Sequence, residues 1–237
     1  MKTWALIPAR GGSKSIPLKN LVPLAGMPLL DYSARAAQAA GCFDRILCST
    51  DDDRIKERCR VLGVEVDHRP EDLCGDDVPV AAVARELLQR VSDAPEAIVL
   101  VQPTSPFLRA DHILQLLDAM ARSPEAQSGQ TITPCPHNFH AWNQREFEAG
   151  QVRFKFAAER QTAYNKQKKP KLFVFGNLVA ARSAALLGGA CFFAEPSVGI
   201  EVPYPYNFDL DTQADRALAE AFLAGGLIEL PHMRGYS

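Results

Sequence analysis

Short apolar runs alternate with helical patterns along the first half of the chain. The apolar runs predict strands at Thr3–Ile7, Arg45–Cys48, Val64–Val66, Ala97–Val101 and Gln130–Thr133. The segments between them predict helices at Leu29–Ala40, Asp51–Leu62, Val78–Val91 and Ala110–Ala121. This alternation is typical of an α/β fold, a mostly parallel sheet with helices on both faces. The run from 97 to 101 is apolar at every position, as expected for a strand buried on both faces.

The alternation breaks after the fifth predicted strand. Residues 136–171 are polar, aromatic and basic with weak periodicity, and we interpret them as an insertion within a single domain of residues 1–237. A small subdomain, a lid and a dimerisation arm are all compatible with this composition. Regular patterns return as strands at Leu172–Val179 and Ser197–Val202, a helical turn at Ser183–Leu187 and a helix at Thr212–Ala224. Thr212 or Asp211 is the expected N-cap of the last helix.

Composition and charge narrow the class of protein. Of 237 residues, 47% are hydrophobic and 23% charged, as in ordinary globular proteins. A net charge of −2 gives no general attraction for nucleic acid. No apolar stretch approaches the roughly 20 residues of a membrane span, and the apolar run before Pro8 is too short for a signal peptide. The six cysteines show neither C-x-x-C nor zinc spacing. We therefore expect a cytoplasmic protein with no nucleic-acid or membrane partner.

The first predicted strand leads into a loop rich in glycine and cations. Residues 7–20 read I-P-A-R-G-G-S-K-S-I-P-L-K-N, so a glycine pair is flanked by Arg10, Lys14 and Lys19. Glycines let backbone N–H groups approach phosphate oxygens, and the cations neutralise phosphate charge. The loop fits neither G-x-x-x-x-G-K-[ST] nor G-x-G-x-x-G. It therefore predicts a polyphosphate site of another kind, and the alternative is a turn whose charges simply face water.

Other polar residues follow the predicted strands at their carboxyl ends, where parallel sheets bind ligands. They are Ser49-Thr50-Asp51, His68-Arg69-Pro70 and Gln102-Pro103-Thr104-Ser105-Pro106. Further along the chain, Asp209 and Asp211 are two positions apart, so in an extended segment both carboxylates point to one face. Two such carboxylates can share Mg²⁺ with phosphate oxygens. The alternative is that Asp209 is a loop residue and Asp211 only caps the following helix.

These motifs resemble those of the CMP-N-acylneuraminate (sialic acid) synthetases, which are cytidylyltransferases. The family's opening motif reads approximately I-P-A-R-G-G-S-K-G-I-P-x-K-N, and residues 7–20 differ from it mainly at Ser15. Four later blocks are similar and occur in the same order: Ser49-Thr50-Asp51, Arg69-Pro70 followed by Asp76, Leu100–Pro106 and Asp209–Thr212. The resemblance extends from residue 4 to about residue 222.

The resemblance implies a Rossmann-like nucleotidyltransferase fold of the nucleotide-diphospho-sugar transferase type. It also implies CTP and an acidic sugar as substrates, Mg²⁺ as cofactor, and a homodimer joined through the insertion. The implied CTP-binding residues are Arg10, Gly11, Gly12, Ser13, Asn20, Arg69 and Asp76. The implied catalytic residues are Arg10, Lys14, Lys19, Lys166 and Asp211. The implied acceptor-binding residues are Gln102, Thr104, Ser105 and Gln167, and the implied metal ligands are Asp209 and Asp211.

Two stretches depart from the family pattern. Val78 and Val80 stand where serine or threonine often follows the aspartate matching Asp76. The family block R-Q-x-x-P-x-x-Y-x-x-N-G-A corresponds to residues 166–177, with Lys166 in place of arginine and Gly-Asn in place of Asn-Gly. Arg160 followed by Gln161 is a second candidate for the Arg-Gln pair, although it would require an insertion.

Because arginine and lysine are not equivalent at bidentate sites, these departures leave the acceptor open. The sequence favours a nonulosonic, sialic-acid-like sugar. An eight-carbon ulosonic acid or another acidic acceptor is an alternative of the same class. A catalytically silent nucleotide-binding protein on the same fold is an alternative of a different class. The lysines around residues 166–171 are either a solvated basic face or a segment that closes over an anionic substrate.

Overall fold

The apolar runs of the sequence form the strands of a seven-stranded sheet. The computed structural model describes residues 1–13, 15–163 and 165–236. The strands of the large sheet and of two small sheets, numbered along the chain, are β1 (Thr3–Pro8), β2 (Pro23–Leu24), β3 (Met27–Pro28), β4 (Arg45–Thr50), β5 (Glu65–His68), β6 (Ala97–Leu100), β7 (Ser128–Pro134), β8 (Arg145–Glu148), β9 (Gln151–Phe154), β10 (Phe173–Arg182) and β11 (Ser197–Glu201). The order in the large sheet is β11-β7-β10-β6-β1-β4-β5, and β2 pairs with β3 and β8 with β9.

One strand runs against the others in the large sheet. β10 is antiparallel to both β6 and β7, whereas the remaining neighbours are parallel. The prediction of a mostly parallel sheet is therefore confirmed. The register of β10 against β7 shifts between Phe175 and Val179. A side chain at Gly176 would begin 2.3 Å from the Thr131 hydroxyl oxygen, so this irregular stretch requires glycine.

Seven helices accompany the sheet among the described residues. They are α1 (Leu29–Ala40), α2 (Asp53–Leu62), α3 (Val80–Arg90), α4 (Ala110–Arg122), α5 (Ala157–Thr162), α6 (Ser183–Leu187) and α7 (Gln213–Ala224). The predicted bounds of α1 are confirmed at both ends. Asp52 caps α2 through two backbone N–H groups, and Thr212 caps α7 in a reciprocal pair with Asp215, so the expectation for Thr212 is confirmed.

Alternation along the strands produces two cores. Ala5 and Ile7 of β1 pack with α1, α2 and α4, whereas Trp4 and Leu6 of the same strand pack with α3 and α6 on the opposite face.

A third cluster positions the loops at the carboxyl edge of the sheet. It joins Ile16 from the loop after β1, Phe107 from the loop after β6 and Leu210 from the segment before α7. Loops that are far apart in sequence are thereby held against one apolar support.

The segment 136–171 contains a two-stranded hairpin, which the sequence did not predict. β8 and β9 pair antiparallel, and Phe147 faces Val152 across the ribbon. These side chains are 75% and 62% exposed, so the ribbon has no core beneath it. The hydrophobic periodicity is weak because this ribbon buries neither face within the chain.

All six cysteines are free thiols, and Cys48 and Cys59 are fully buried, as the sequence indicated. Among the described residues, no helix is both long and apolar enough to cross a membrane.

A buried histidine joins α4 to the irregular part of β10. The backbone N–H of Arg109 and the amide Nδ2 of Asn177 both donate to Nδ1 of His112, at 3.4 Å and 3.1 Å. Both bonds require Nδ1 to be unprotonated. The pKa of His112 is lowered to about 4. Burial is the main cause, Arg109 and His232 contribute to the decrease, and Asp111 opposes it. The neutral imidazole is therefore part of the folded structure.

We expect acid to destabilise the fold through this residue. The pKa of His112 is about 6.5 unfolded and about 4 folded, so the unfolded chain binds the extra proton between these values. The stabilisation is complete above pH 6.5 and is lost as the pH falls towards 4, by up to about 3 kcal/mol. The free energy of unfolding, measured in urea across this pH window, should fall less steeply with decreasing pH for His112→Gln than for wild type. Equal slopes would contradict this expectation. His68→Gln, at an exposed position, is the control.

Candidate active site

A polar cavity of about 410 Å³ lies where β1 and β6 end, at the carboxyl edge of the sheet. Its lining residues are Pro8, Arg10, Ser13, Ser15, Lys19, Asn20, Asp76 and Thr104. We call these residues the cradle. The structure thus brings together five of the predicted CTP-binding and catalytic residues with Thr104, a predicted acceptor residue. Lys14 lies outside the described residues.

The loop after β1 is held in place by two polar contacts. The side-chain amide of Asn20, which is buried, donates to the carbonyl oxygen of Arg10 at 3.0 Å. The backbone N–H of Gly11 donates to Oδ1 of Asp51 at 2.9 Å. A Cβ at Gly11 would lie 2.6 Å from Asp52 Oδ2, so close packing against α2 requires glycine there. Gly12 is exposed and has open space around it.

Two cations of the cradle form ion pairs with distant aspartates. The Arg10 guanidinium lies 2.6 Å from Asp76 and also donates to the Cys74 carbonyl oxygen at 3.3 Å. Nζ of Lys19 lies 2.8 Å from Oδ1 of Asp211, which is 192 positions away in sequence. One of the cations predicted to bind phosphate, Lys19, is therefore in contact with one of the predicted metal ligands.

Asp209 and Asp211 flank a buried anchor. The backbone N–H of Leu210 donates to the Thr104 carbonyl oxygen at 2.8 Å, and the Leu210 side chain is buried. Asp209 is exposed, yet neighbouring protein atoms remove part of the hydration of its carboxylate. This desolvation raises the pKa of Asp209, repulsion from Asp211 adds to the effect, and a hydrogen bond with Thr104 opposes it.

These two carboxylates fit a magnesium ion. Mg²⁺ prefers oxygen ligands and is commonly held by one or two carboxylates together with substrate phosphates and water. Within the described part of the chain, no group of three or more His, Cys, Asp or Glu side chains could hold a metal by itself. Nucleotide phosphates at the cradle would have to complete the ligand set.

Arg69 is buried and is not among the residues that line the cradle. It is 5% exposed and donates to the backbone oxygen of Ser49 at 3.0 Å and to the Ser49 hydroxyl at 3.4 Å. Desolvation lowers the pKa of Arg69, although a guanidinium with such a high starting value remains charged. These bonds use two of its five N–H groups.

The predicted acceptor residues do not form one group. Gln102 is partly exposed at the end of β6, and its backbone oxygen accepts from Ser33. Ser105 is 3% exposed, which leaves little surface for a sugar. Gln167 is exposed on a single turn, Lys166–Lys168, within the insertion. The Lys166 side chain lies outside what the structure describes.

A second cavity, of about 300 Å³, opens where β7 and β11 end. It therefore lies at the same edge of the sheet as the cradle. Its lining residues are Pro134, Cys135, His137, His140, Lys169, Pro170, Lys171, Leu172, Phe173 and Glu201. Two lysines and two histidines give this cavity a basic wall next to apolar surface.

Sequence reasoning did not predict that two cations of the insertion share one side chain. Arg160 and Lys169 both donate to the side-chain oxygen of Asn143, at 2.5 Å and 2.6 Å. The pKa of Lys169 is lowered by desolvation and, to a smaller extent, by Arg160. The unusual density of lysine near residue 169 was a signal, but nothing in the sequence indicated that Asn143 would join the two cations.

The chain is similar in sequence to known cytidylyltransferases. A family model described as "Cytidylyltransferase" matches residues 4–173. The chain is 26% identical over 219 residues to the N-acylneuraminate cytidylyltransferase of Streptococcus agalactiae serotype III, covering 91% of this chain and 52% of that protein. It is 28% identical over 232 residues to the CMP-N,N'-diacetyllegionaminic acid synthase of Legionella pneumophila, covering 94% and 97%. The chain thus spans about half the length of the streptococcal relative.

The fold also matches that of a solved structure. It is similar to CMP:2-keto-3-deoxy-manno-octonic acid synthetase complexed with CTP, with a TM-score of 0.74 and 16% identity, covering 95% of this chain and all of that one. At this identity the likeness establishes the fold alone, and it confirms the expected nucleotidyltransferase fold. The family model covers well over half of the chain, and the relatives confirm the resemblance inferred from the motifs. The protein belongs to the cytidylyltransferase family.

Proposed function

We propose that this protein transfers CMP from CTP to the anomeric hydroxyl of an acidic, sialic-acid-like sugar and releases pyrophosphate. The observation that carries the proposal is the cradle, in which Arg10 and Lys19 lie at the carboxyl edge of the sheet and Lys19 pairs with Asp211. The names of the streptococcal and Legionella relatives support both the donor and the class of acceptor. The free cysteines agree with the reducing cytoplasm as the site of action.

The proposed reaction depends on charge and position. The anomeric hydroxyl gives up its proton to water, and its oxygen bonds to the α-phosphorus while the bond from that phosphorus to the pyrophosphate oxygen breaks. Arg10 and Lys19 would bind the phosphates and stabilise the charge that develops on the leaving group. Asp209 and Asp211 would hold Mg²⁺, which when bound supplies further charge neutralisation. Arg69, fixed by Ser49, would position the cytidine, and Asn20 would keep Arg10 in place.

We place the acceptor between the end of β6 and the second cavity. Gln102 follows β6, and Lys169 and Lys171 line the second cavity with its basic wall. A carboxylate of an acidic sugar would gain charge-assisted hydrogen bonds there. Lys166 and Gln167 remain predicted contributors from the same segment, and Arg160, which shares Asn143 with Lys169, is a further one.

We also propose that the insertion joins two copies of the protein. Three strongly exposed apolar residues lie on this segment: Phe139, Phe147 and Val152, at 69%, 75% and 62% exposure. Residues of this kind are enriched in the buried centres of protein interfaces. A second copy of the same hairpin would bury them by symmetry, as in most homodimers.

Phe147→Asp is expected to convert the proposed dimer to a monomer. A carboxylate placed at the centre of an apolar contact would be desolvated without a partner. Light scattering coupled to size-exclusion chromatography measures the change in mass. Val61→Asp, on an equally exposed site of α2, should leave the mass unchanged. A monomeric wild type, or a dimer that survives Phe147→Asp, would contradict the interface.

The proposed function is tested by pyrophosphate release from CTP and Mg²⁺ across a panel of acidic sugars. We expect release with a nonulosonic acid and much less release without any acceptor. Release only with an eight-carbon ulosonic acid would support the alternative acceptor. If CTP binds and no acceptor causes release, the protein is a nucleotide-binding module instead.

A further inference from the structure

Three groups that we propose bind phosphate, in the cradle or in its loop, are bonded to aspartates from other parts of the chain. The pairs are Arg10 with Asp76 at 2.6 Å, the Gly11 N–H with Asp51 at 2.9 Å, and Lys19 with Asp211 at 2.8 Å. In each pair a carboxylate oxygen holds a donor that a phosphate oxygen would also seek. A nucleotide that enters the cradle must therefore compete with carboxylates for these donors.

The pair of Lys19 with Asp211 differs from the others because it joins two parts of the proposed machinery. Lys19 would bind phosphate, and Asp211 would bind the metal. A carboxylate oxygen that accepts from an ammonium group is already engaged, and the ammonium charge repels a divalent cation placed next to it. While the pair is intact, Asp211 is a poor metal ligand.

We propose that Lys19 controls access of the metal to Asp211, so that the carboxylate becomes available only when nucleotide phosphates engage the lysine. This inference rests on the proposed function, since it takes the nucleotide phosphates as the competing anion. It gives Lys19 a second role beyond binding phosphate. Metal binding and nucleotide binding are then coupled, because Lys19 exchanges Asp211 for a phosphate group.

The local structure allows this exchange without movement of the backbone. The Asp211 side chain is 65% exposed and that of Lys19 is 14% exposed, so water can solvate the carboxylate when the lysine leaves. Exposed ion pairs of this kind are weak, and a polyphosphate carries more charge than one carboxylate. The Asp211 backbone is held independently, because its N–H donates to Asp215 Oδ2 at 3.1 Å and its neighbour Leu210 is anchored to Thr104. Removing Lys19 should therefore leave Asp211 in position.

The test measures metal binding without any acceptor sugar or turnover. Mn²⁺ replaces Mg²⁺ as the probe, and electron paramagnetic resonance counts free Mn²⁺ during titration of the full chain. Without nucleotide, Lys19→Met should bind Mn²⁺ about tenfold more tightly than wild type, because a neighbouring positive charge is gone. The double variant Lys19→Met/Asp211→Asn should return to wild-type affinity. Lys56→Met, which releases Asp53 from a 2.9 Å pair outside the cradle, should leave the affinity unchanged.

Unchanged or weaker Mn²⁺ binding by Lys19→Met would overturn the proposal, as would tight binding that persists in the double variant. Lys19→Gln provides the same comparison if the methionine variant does not fold, which thermal melting reports. A CTP titration of the wild type separates this inference from the proposed function. If CTP binds the wild type but Lys19→Met shows no gain for Mn²⁺, only the second role of Lys19 fails. If CTP does not bind the wild type, the proposed function fails first.

Discussion

Replacing Asp211 with asparagine is expected to lower Mg²⁺-dependent CMP transfer by about two to three orders of magnitude, a loss comparable to that of a single preorganised electrostatic group. Asparagine has nearly the same shape but no charge, so it would be a weak metal ligand. The side chain is 65% exposed and its ion pair with Lys19 lies at the cradle, so the fold should remain intact. The loss is measured as kcat at saturating CTP and Mg²⁺, with circular dichroism and thermal melting to verify folding.

The matched control for this variant is Asp118→Asn. Asp118 is 60% exposed and pairs with Arg122 on α4, so the same chemical change occurs outside the cradle. We expect wild-type activity from the control. Wild-type activity from Asp211→Asn as well would remove Asp211 from the proposed metal site.

Lys19→Ala is expected to reduce kcat/KM for CTP by about 10- to 100-fold, the loss typical of a hydrogen bond to a charged group. The ammonium is 14% exposed and lies on the wall of the cradle, where phosphate oxygens would replace Asp211 as its partner. Steady-state kinetics with CTP varied, together with direct titration of CTP, separate weaker binding from slower chemistry. Lys56→Ala is the control. Unchanged kinetics for Lys19→Ala would show that the loop after β1 does not bind the triphosphate.

Strands and helices could be predicted because each buries a continuous apolar pattern. The helix Leu29–Ala40 was predicted to the residue, and the strand around Ile98 was placed because both of its faces are covered. The direction of β10 could not be predicted, since periodicity does not record whether a strand runs with or against its neighbours. The hairpin around Phe147 was missed for a related reason: it buries no face within the chain.

The sequence indicated several residues that line the cradle, but it did not indicate the contacts between them. Arg10, Lys19 and Asn20 were recognisable from one loop, and the motif order indicated Asp211. Their pairing depends on the third apolar cluster, where Ile16 and Leu210 meet. Sequence reasoning took Gly11 as a residue that lets backbone N–H groups approach phosphate oxygens. The structure shows that packing against Asp52 requires it as well.

The structure adds side-chain contacts that bear on two predicted site residues, Thr104 and Arg69. Thr104 was predicted as an acceptor residue, yet it lines the cradle and hydrogen bonds with Asp209. Arg69 was predicted to bind CTP, and the structure shows a buried group fixed by Ser49. We therefore propose that both residues position the nucleotide and that Gln102 and the insertion recognise the acceptor.

The central claim, that an anomeric oxygen attacks the α-phosphorus of CTP, is tested most directly by an isotope. The acidic sugar that supports pyrophosphate release is labelled with ¹⁸O at its anomeric hydroxyl, and the product is analysed by mass spectrometry. We expect a CMP-sugar that retains ¹⁸O in the bond between sugar and phosphorus, together with unlabelled pyrophosphate. Loss of ¹⁸O from the CMP-sugar, or its appearance in pyrophosphate, would contradict the account.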